Sequence, residues 1–192
     1  MDCTGNQITL YSPQSSQVLE TIRRDGVCFS RPEFIRKKYG ESAPLFLTVY
    51  GWFVREAAKL VLPPPGAQYP YWAVGDLSSV DRSAGGKLLT LSVPDDQVVL
   101  FDLYDWNRIL QLRLLTDDPQ EEKEFQRELS LRGLDVNRVM LTDFYPEFRE
   151  KIFSSWKKLF DHHEALRAGD YSGVGAVQAA LWCIRREWIQ ND

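Results

Sequence analysis

Long apolar runs are missing from this chain: no stretch of about 20 apolar residues occurs, which excludes a helix of membrane-spanning type. The Met1–Gln7 start has neither the basic opening nor the apolar run of a secretory signal. Cysteine is scarce. Cys3, Cys28 and Cys183 are odd in number and far apart, which does not fit a disulfide framework. Together these features predict a cytoplasmic protein. An excess of basic charge is also missing, with 23 Lys and Arg against 27 Asp and Glu and a net charge of −4. That balance argues against a nucleic-acid partner at the level of the whole domain. Catalytic signatures are absent too. Gly85-Gly86-Lys87 is only a fragment of a phosphate loop, and it precedes a strand rather than a helix. No HExxH, paired CxxC or GxSxG occurs.

What is present fits one globular domain spanning residues 1–192. Hydrophobic residues make up 44% and charged residues 26%, enough to fill a core without metals or cross-links. Six tryptophans and eight tyrosines are the distinctive content, and such rings build either core or ligand walls.

Ile8-Thr9-Leu10-Tyr11 reads as a first strand ended by Ser12-Pro13, followed by a helix from Ser15 that Gly26 closes. Val27-Cys28-Phe29 reads as a brief strand, and residues 31–40 as a basic connector. Pro44 opens a helix with Phe46, Val49, Phe53, Ala57 and Leu60 on one face, ended by Pro63-Pro64-Pro65. Strands are expected over 69–74, 88–93, 98–101 and, as a central strand apolar on both faces except at Gln178, over 176–184. Residues 117–138 read as a charged, exposed helical insertion, and Pro146 opens an amphipathic helix carrying Phe148, Ile152 and Trp156. The expected fold is α+β, with a mixed or antiparallel central sheet flanked by amphipathic helices.

Each candidate for chemistry has a local explanation beside it. His162 and His163 lie at the end of a helix, where an imidazole serves as a cation or donor to terminal carbonyls. Cys28 and Cys183 read as small core residues. Asp102 and Asp105 are either helix caps or an acid–base pair, and capping is the commoner use. Tyr69-Pro70-Tyr71-Trp72 is either a core strand or a ligand wall. Gln178 either ties neighbouring backbone together or points from a central strand into a polar cleft.

The order of Leu10-Tyr11-Ser12-Pro13-Gln14, Pro63-Pro64-Pro65, Tyr69-Pro70-Tyr71-Trp72-Ala73, Val93-Pro94-Asp95, Ser155-Trp156 and Val177-Gln178-Ala179 resembles an uncharacterised bacterial family, a domain of unknown function. At the level of fold, the polar end of the first strand and the late strand bearing Gln178 also resemble ADP-ribosyltransferase-like domains. That second resemblance implies nucleotide-type ligand binding, with NAD as the cofactor. It places Gln178 at the catalytic position, and Tyr11, Ser12 and Gln14 at the nicotinamide ribose. Tyr71 and Trp72 would wall the ligand. The chain departs from that pattern in offering an amide where such enzymes usually carry a carboxylate, so catalysis stays open. The alternative expectation is a non-catalytic protein-interaction module, for instance in a bacterial defence or toxin system, using the charged 117–138 segment.

Overall fold

A computed structural model describes residues 6–81, 83 and 85–190. Cys3 and most of the Met1–Gln7 start lie outside the described residues. The fold is α+β, built on one five-stranded sheet with every pairing antiparallel. Its strands are β1 (Gln7–Gln14), β3 (Tyr71–Val74), β4 (Lys87–Pro94), β5 (Val98–Asp102) and β6 (Val177–Leu181), in the spatial order β4-β1-β3-β6-β5. A second, two-stranded sheet pairs β2 (Val27–Cys28) with β7 (Ile184–Arg185).

The strand pleat divides the core into two layers, because alternate side chains point to opposite faces. One face carries Val99, Phe101 and Ala180. It packs under α3 (Ala43–Ala57), α4 (Leu103–Leu110), α5 (Pro119–Leu131), α6 (Val136–Leu141) and α7 (Pro146–Trp156). The other face carries Leu10, Leu89, Leu91, Leu100, Ala179 and Leu181, covered by α1 (Ser16–Asp25), the small sheet and α8 (His163–Arg167). The apolar run Val98–Phe101 of β5 is buried on both sides, whereas β4 alternates. The helical layer therefore covers the β3-β6-β5 half of its face. Over β1 and β4 that same face presents Thr9, Tyr11, Thr90 and Ser92, none of which is fully buried.

Several expectations change. The first strand does not end at Ser12-Pro13 but runs to Gln14, paired with β4 along its whole length. Its ladder with β3 is confined to Tyr11↔Val74, so Pro13 lies where that flank has no strand partner and the missing donor is tolerated. Residues 31–40 are no connector: α2 (Pro32–Tyr39) starts with Pro32 in its first turn and ends at Gly40. The charged 117–138 segment is helical as expected. Yet Phe125 and Leu129 of α5, with Val139 and Met140 of α6, are core residues, so it forms part of the helical layer.

Edge strand β5 shows how the sheet is finished. His163 is 1% exposed, and its Nδ1 accepts a hydrogen bond from the Leu100 backbone N–H at 3.1 Å. The imidazole thus acts as an acceptor to a strand rather than as a donor to helical carbonyls, and it occupies an edge that would otherwise offer a free N–H. Burial holds its pKa below the ordinary imidazole value, with the Glu164 carboxylate opposing that shift. The unfolded chain therefore takes up a proton near pH 6.5 that the folded chain resists, so this stability is complete above that pH and is lost as the pH falls. Urea unfolding should show stability dropping below about pH 6.5, with the dependence weakened in His163→Gln. His163→Leu should cost about 1–3 kcal/mol at neutral pH by stranding the Leu100 N–H. An unchanged stability in both variants would contradict this role.

Candidate functional site

The uncovered half of the helix-side face becomes a cleft. Strand registers place Tyr11 opposite Val74, Val74 opposite Gln178, and Gln178 opposite Phe101, a single row across four strands. Phe101 ends that row in the core, and on the other side the row passes from half-buried Tyr11 to Thr90 of β4. Gln178 sits at the boundary. Two strand spacings, about 10 Å, separate it from Tyr11. The cleft has a volume of about 400 Å³ and is lined by Tyr11, Gln14, Tyr71, Trp72 and Gln178 from the sheet. Phe34, Ile35, Lys38 and Tyr39 of α2 form the facing wall, and the turn Ser79-Val80-Asp81 closes one side.

Gln178 is 7% exposed, and among the described residues its amide has no hydrogen-bond partner. The amide atoms are not sealed from solvent, unlike the buried and unpartnered Glu122 Oε2, His163 Nε2, Arg167 Nε and Arg185 Nε, so they are open to something entering the cleft. The placement of Gln178 is fixed from the strand's start. Asp102 caps α4 by accepting from the Tyr104 N–H at 2.6 Å, and its other oxygen accepts from the Gly175 N–H at 2.6 Å. Leu103 N–H donates to the Ala176 carbonyl at 2.8 Å. A Cβ at position 175 would lie 2.6 Å from the ring of exposed Tyr104, which would have to move aside. This clamp sets the β6 register, and a slip of one residue would exchange Gln178 for Ala179. Asp102 thus serves as a cap and a clamp.

The other expected site residues divide. Tyr11 and Trp72 face the cleft. Trp72 also packs against Trp106 at 4.9 Å and Phe53 at 5.2 Å, so it belongs to core and wall together. Tyr71 borders the cleft, but it packs in the opposite layer and its hydroxyl lies 3.0 Å from Cys28 Sγ. Ser12 is a correction: it is fully buried and does not line the cleft. Its hydroxyl donates to the Trp72 carbonyl at 2.7 Å and accepts from the Gln14 amide at 2.8 Å. Where the β1–β3 ladder stops at Tyr11, this side chain supplies the next link.

Sequence reasoning missed the α2 wall, the 79–81 turn and Tyr50, whose hydroxyl lies 3.0 Å from that of Tyr39. Pro32 followed by a basic last turn and Gly40 was the available signal for α2. Burial, with Tyr39 adding to it, pushes the Tyr50 phenol well above its ordinary pKa, so it stays protonated. Asp81 is held below the usual carboxylate range by hydrogen bonds from Ser83. Among the described residues no group of three or more His, Cys, Asp or Glu could hold a metal ion, and no helix is long and apolar enough to cross a membrane.

Residues 9–190 match the family model described as a domain of unknown function, DUF3841. The chain belongs to the DUF3841 family. No curated protein and no solved structure matches it. The DUF3841 match bears on neither an ADP-ribosyltransferase-like likeness nor a ligand, so the cleft is read from its own residues.

The Ser12 link gives a direct test. Ser12→Ala leaves the Trp72 carbonyl short of a donor and should lower the unfolding free energy in urea by about 1–3 kcal/mol. No loss would show that the hydroxyl does not tie β1 to β3.

Proposed function

We propose that the cleft binds a nucleotide-type ligand and that Gln178 reads the edge of its base. The Gln178 amide at the cleft floor, without a hydrogen-bond partner among the described residues, carries this reading. A primary amide presents an acceptor and donors in one plane, which pairs in bidentate fashion with an edge such as N6/N7 of adenine. The nicotinamide carboxamide of NAD offers a complementary pair as well. Tyr11 and Trp72 supply ring faces on which a planar base can stack.

Binding without turnover fits these residues best. The amide of Gln178 has no titratable proton and cannot act as a general base. The Tyr50 phenol stays protonated, and Asp81, ionised through its bonds to Ser83, is a weak base on an exposed turn. Incubation with NAD should release no nicotinamide, and steady release would overturn the binding-only reading.

A second reading, the protein-interaction module, draws on Leu131, Leu141 and Phe144, large apolar side chains left exposed in and after the charged segment. Deleting that segment would not test it, because its buried face is core.

The nucleotide reading predicts opposite effects of one substitution on stability and on binding. Gln178→Leu removes an amide that has no hydrogen-bond partner among the described residues, so the thermal midpoint should hold or rise. Affinity for a nucleotide that quenches tryptophan fluorescence should fall by about tenfold or more. A flat fluorescence response across a nucleotide panel would contradict the reading, and a destabilised Gln178→Leu protein would show the amide to be structural.

A further inference from the structure

The cleft is graded from floor to mouth. Its floor holds Gln178, Trp72, Val74 and Leu103, and its mouth carries two exposed charges, Lys38 on α2 and Asp81 on the turn. Lys38 lies over the Tyr39 ring, with Nζ 5.2 Å from the centroid, which holds the ammonium beside the cleft wall. Asp81 commits Oδ1 to the Ser83 N–H at 2.9 Å and to the Ser83 hydroxyl at 2.6 Å. Its second oxygen carries no hydrogen bond among the described residues. Lys38 and Asp81 make no ion pair within 4.0 Å, although Lys38 helps to keep Asp81 ionised. A cation and a carboxylate thus share one mouth without neutralising each other by contact.

We infer that the cleft takes a ribonucleoside 5′-monophosphate, with its base on Gln178, a sugar hydroxyl on Asp81 and its phosphate on Lys38. This rests on the nucleotide reading and narrows it. A carboxylate with a free oxygen accepts from a ribose hydroxyl, and a lone ammonium suits a terminal phosphate as a point charge. The size of the phosphate chain follows from charge. A monophosphate brings about −1.5 to −2 at neutral pH, which one lysine partly offsets. Longer chains add negative charge beside Asp81, and Lys38 is the one cation among the described residues lining the cleft. A second nucleotide, as in NAD, would meet only Gln14 as a further amide among the described lining residues, and Gln14 already donates its Nε2 to the Ser12 hydroxyl.

The test uses the full chain at fixed ionic strength, with tryptophan quenching and calorimetry as readouts. The probes are the four ribonucleosides, their 5′-monophosphates and triphosphates, and the 2′-deoxy monophosphates. At least one ribonucleoside should bind, and its monophosphate should bind about five- to tenfold tighter. The triphosphate should gain nothing over the monophosphate, and the deoxy form should bind more weakly than the ribo form. Lys38→Met should erase the difference in affinity between the monophosphate and its nucleoside. Asp81→Asn should erase the difference between ribo and deoxy forms. Both positions are exposed, and thermal melts of the variants confirm that they fold. Equal binding of nucleoside and monophosphate, tighter binding of the triphosphate, or equal losses for both ligands in Lys38→Met would overturn this assignment while the nucleotide reading stood. Failure of every nucleoside and nucleotide to bind would overturn both.

Discussion

The two-residue period of β6 is the constraint on which the fold and its cleft both depend. Ala179 and Leu181 fill the layer under α1, while Gln178 and Ala180 point to the helical layer. Because β6 is paired on both sides, its register cannot shift without moving β3 and β5 with it. At the end of the ladder, where Asp102 pairs with Val177, its side chain reinforces that register by capping α4 with one oxygen and holding the Gly175 N–H with the other. A polar residue kept in this position by so many apolar neighbours costs stability unless something meets it.

The cleft exists because the helical layer is narrower than the sheet. Trp72, Phe53, Phe101 and Trp106 pack ring against ring over β3, β6 and β5, with centroids roughly 5–6 Å apart. Helix α2 stands off β1, and Tyr39, stacked on Phe46 at 3.6 Å, joins it to α3. The gap between this standing helix and β1 is lined by rings and ends on an amide, the composition expected of a small-molecule site. On the opposite edge of the sheet His163 plays a purely structural part, filling an unused strand bond with a neutral imidazole.

Much of this was legible in the sequence where periodicity decides it. The alternation of Leu89, Leu91 and Val93 gave β4, the apolar run Val98–Phe101 gave a strand buried on both faces, and Pro44 and Pro146 marked the first turns of α3 and α7. Gln178 stood out because a polar residue interrupts an apolar strand, and it lines one cleft with Tyr11 and Trp72. Ser12 misled for a physical reason. Its hydroxyl replaces a rung of a ladder that ends one residue earlier, and ladder ends depend on tertiary pairing that no local pattern records. Helix α2 was obscured by its charge, since Ile35 is its one fully buried residue and gives no stripe to read. The 117–138 segment failed in the opposite way: dense surface charge hid the apolar face carried by Phe125 and Leu129.

The central claim is that the Gln178 amide is held free in the cleft to meet a ligand. Solution NMR of the nitrogen-15-labelled protein tests it most directly, with the Gln178 side-chain amide assigned by its absence in Gln178→Leu. Without ligand, its protons should exchange with solvent faster than those of a hydrogen-bonded core amide. Addition of a nucleotide that quenches tryptophan fluorescence should slow that exchange and shift both amide signals. Slow exchange in the free protein, and signals that stay in place at saturating nucleotide, would contradict the account.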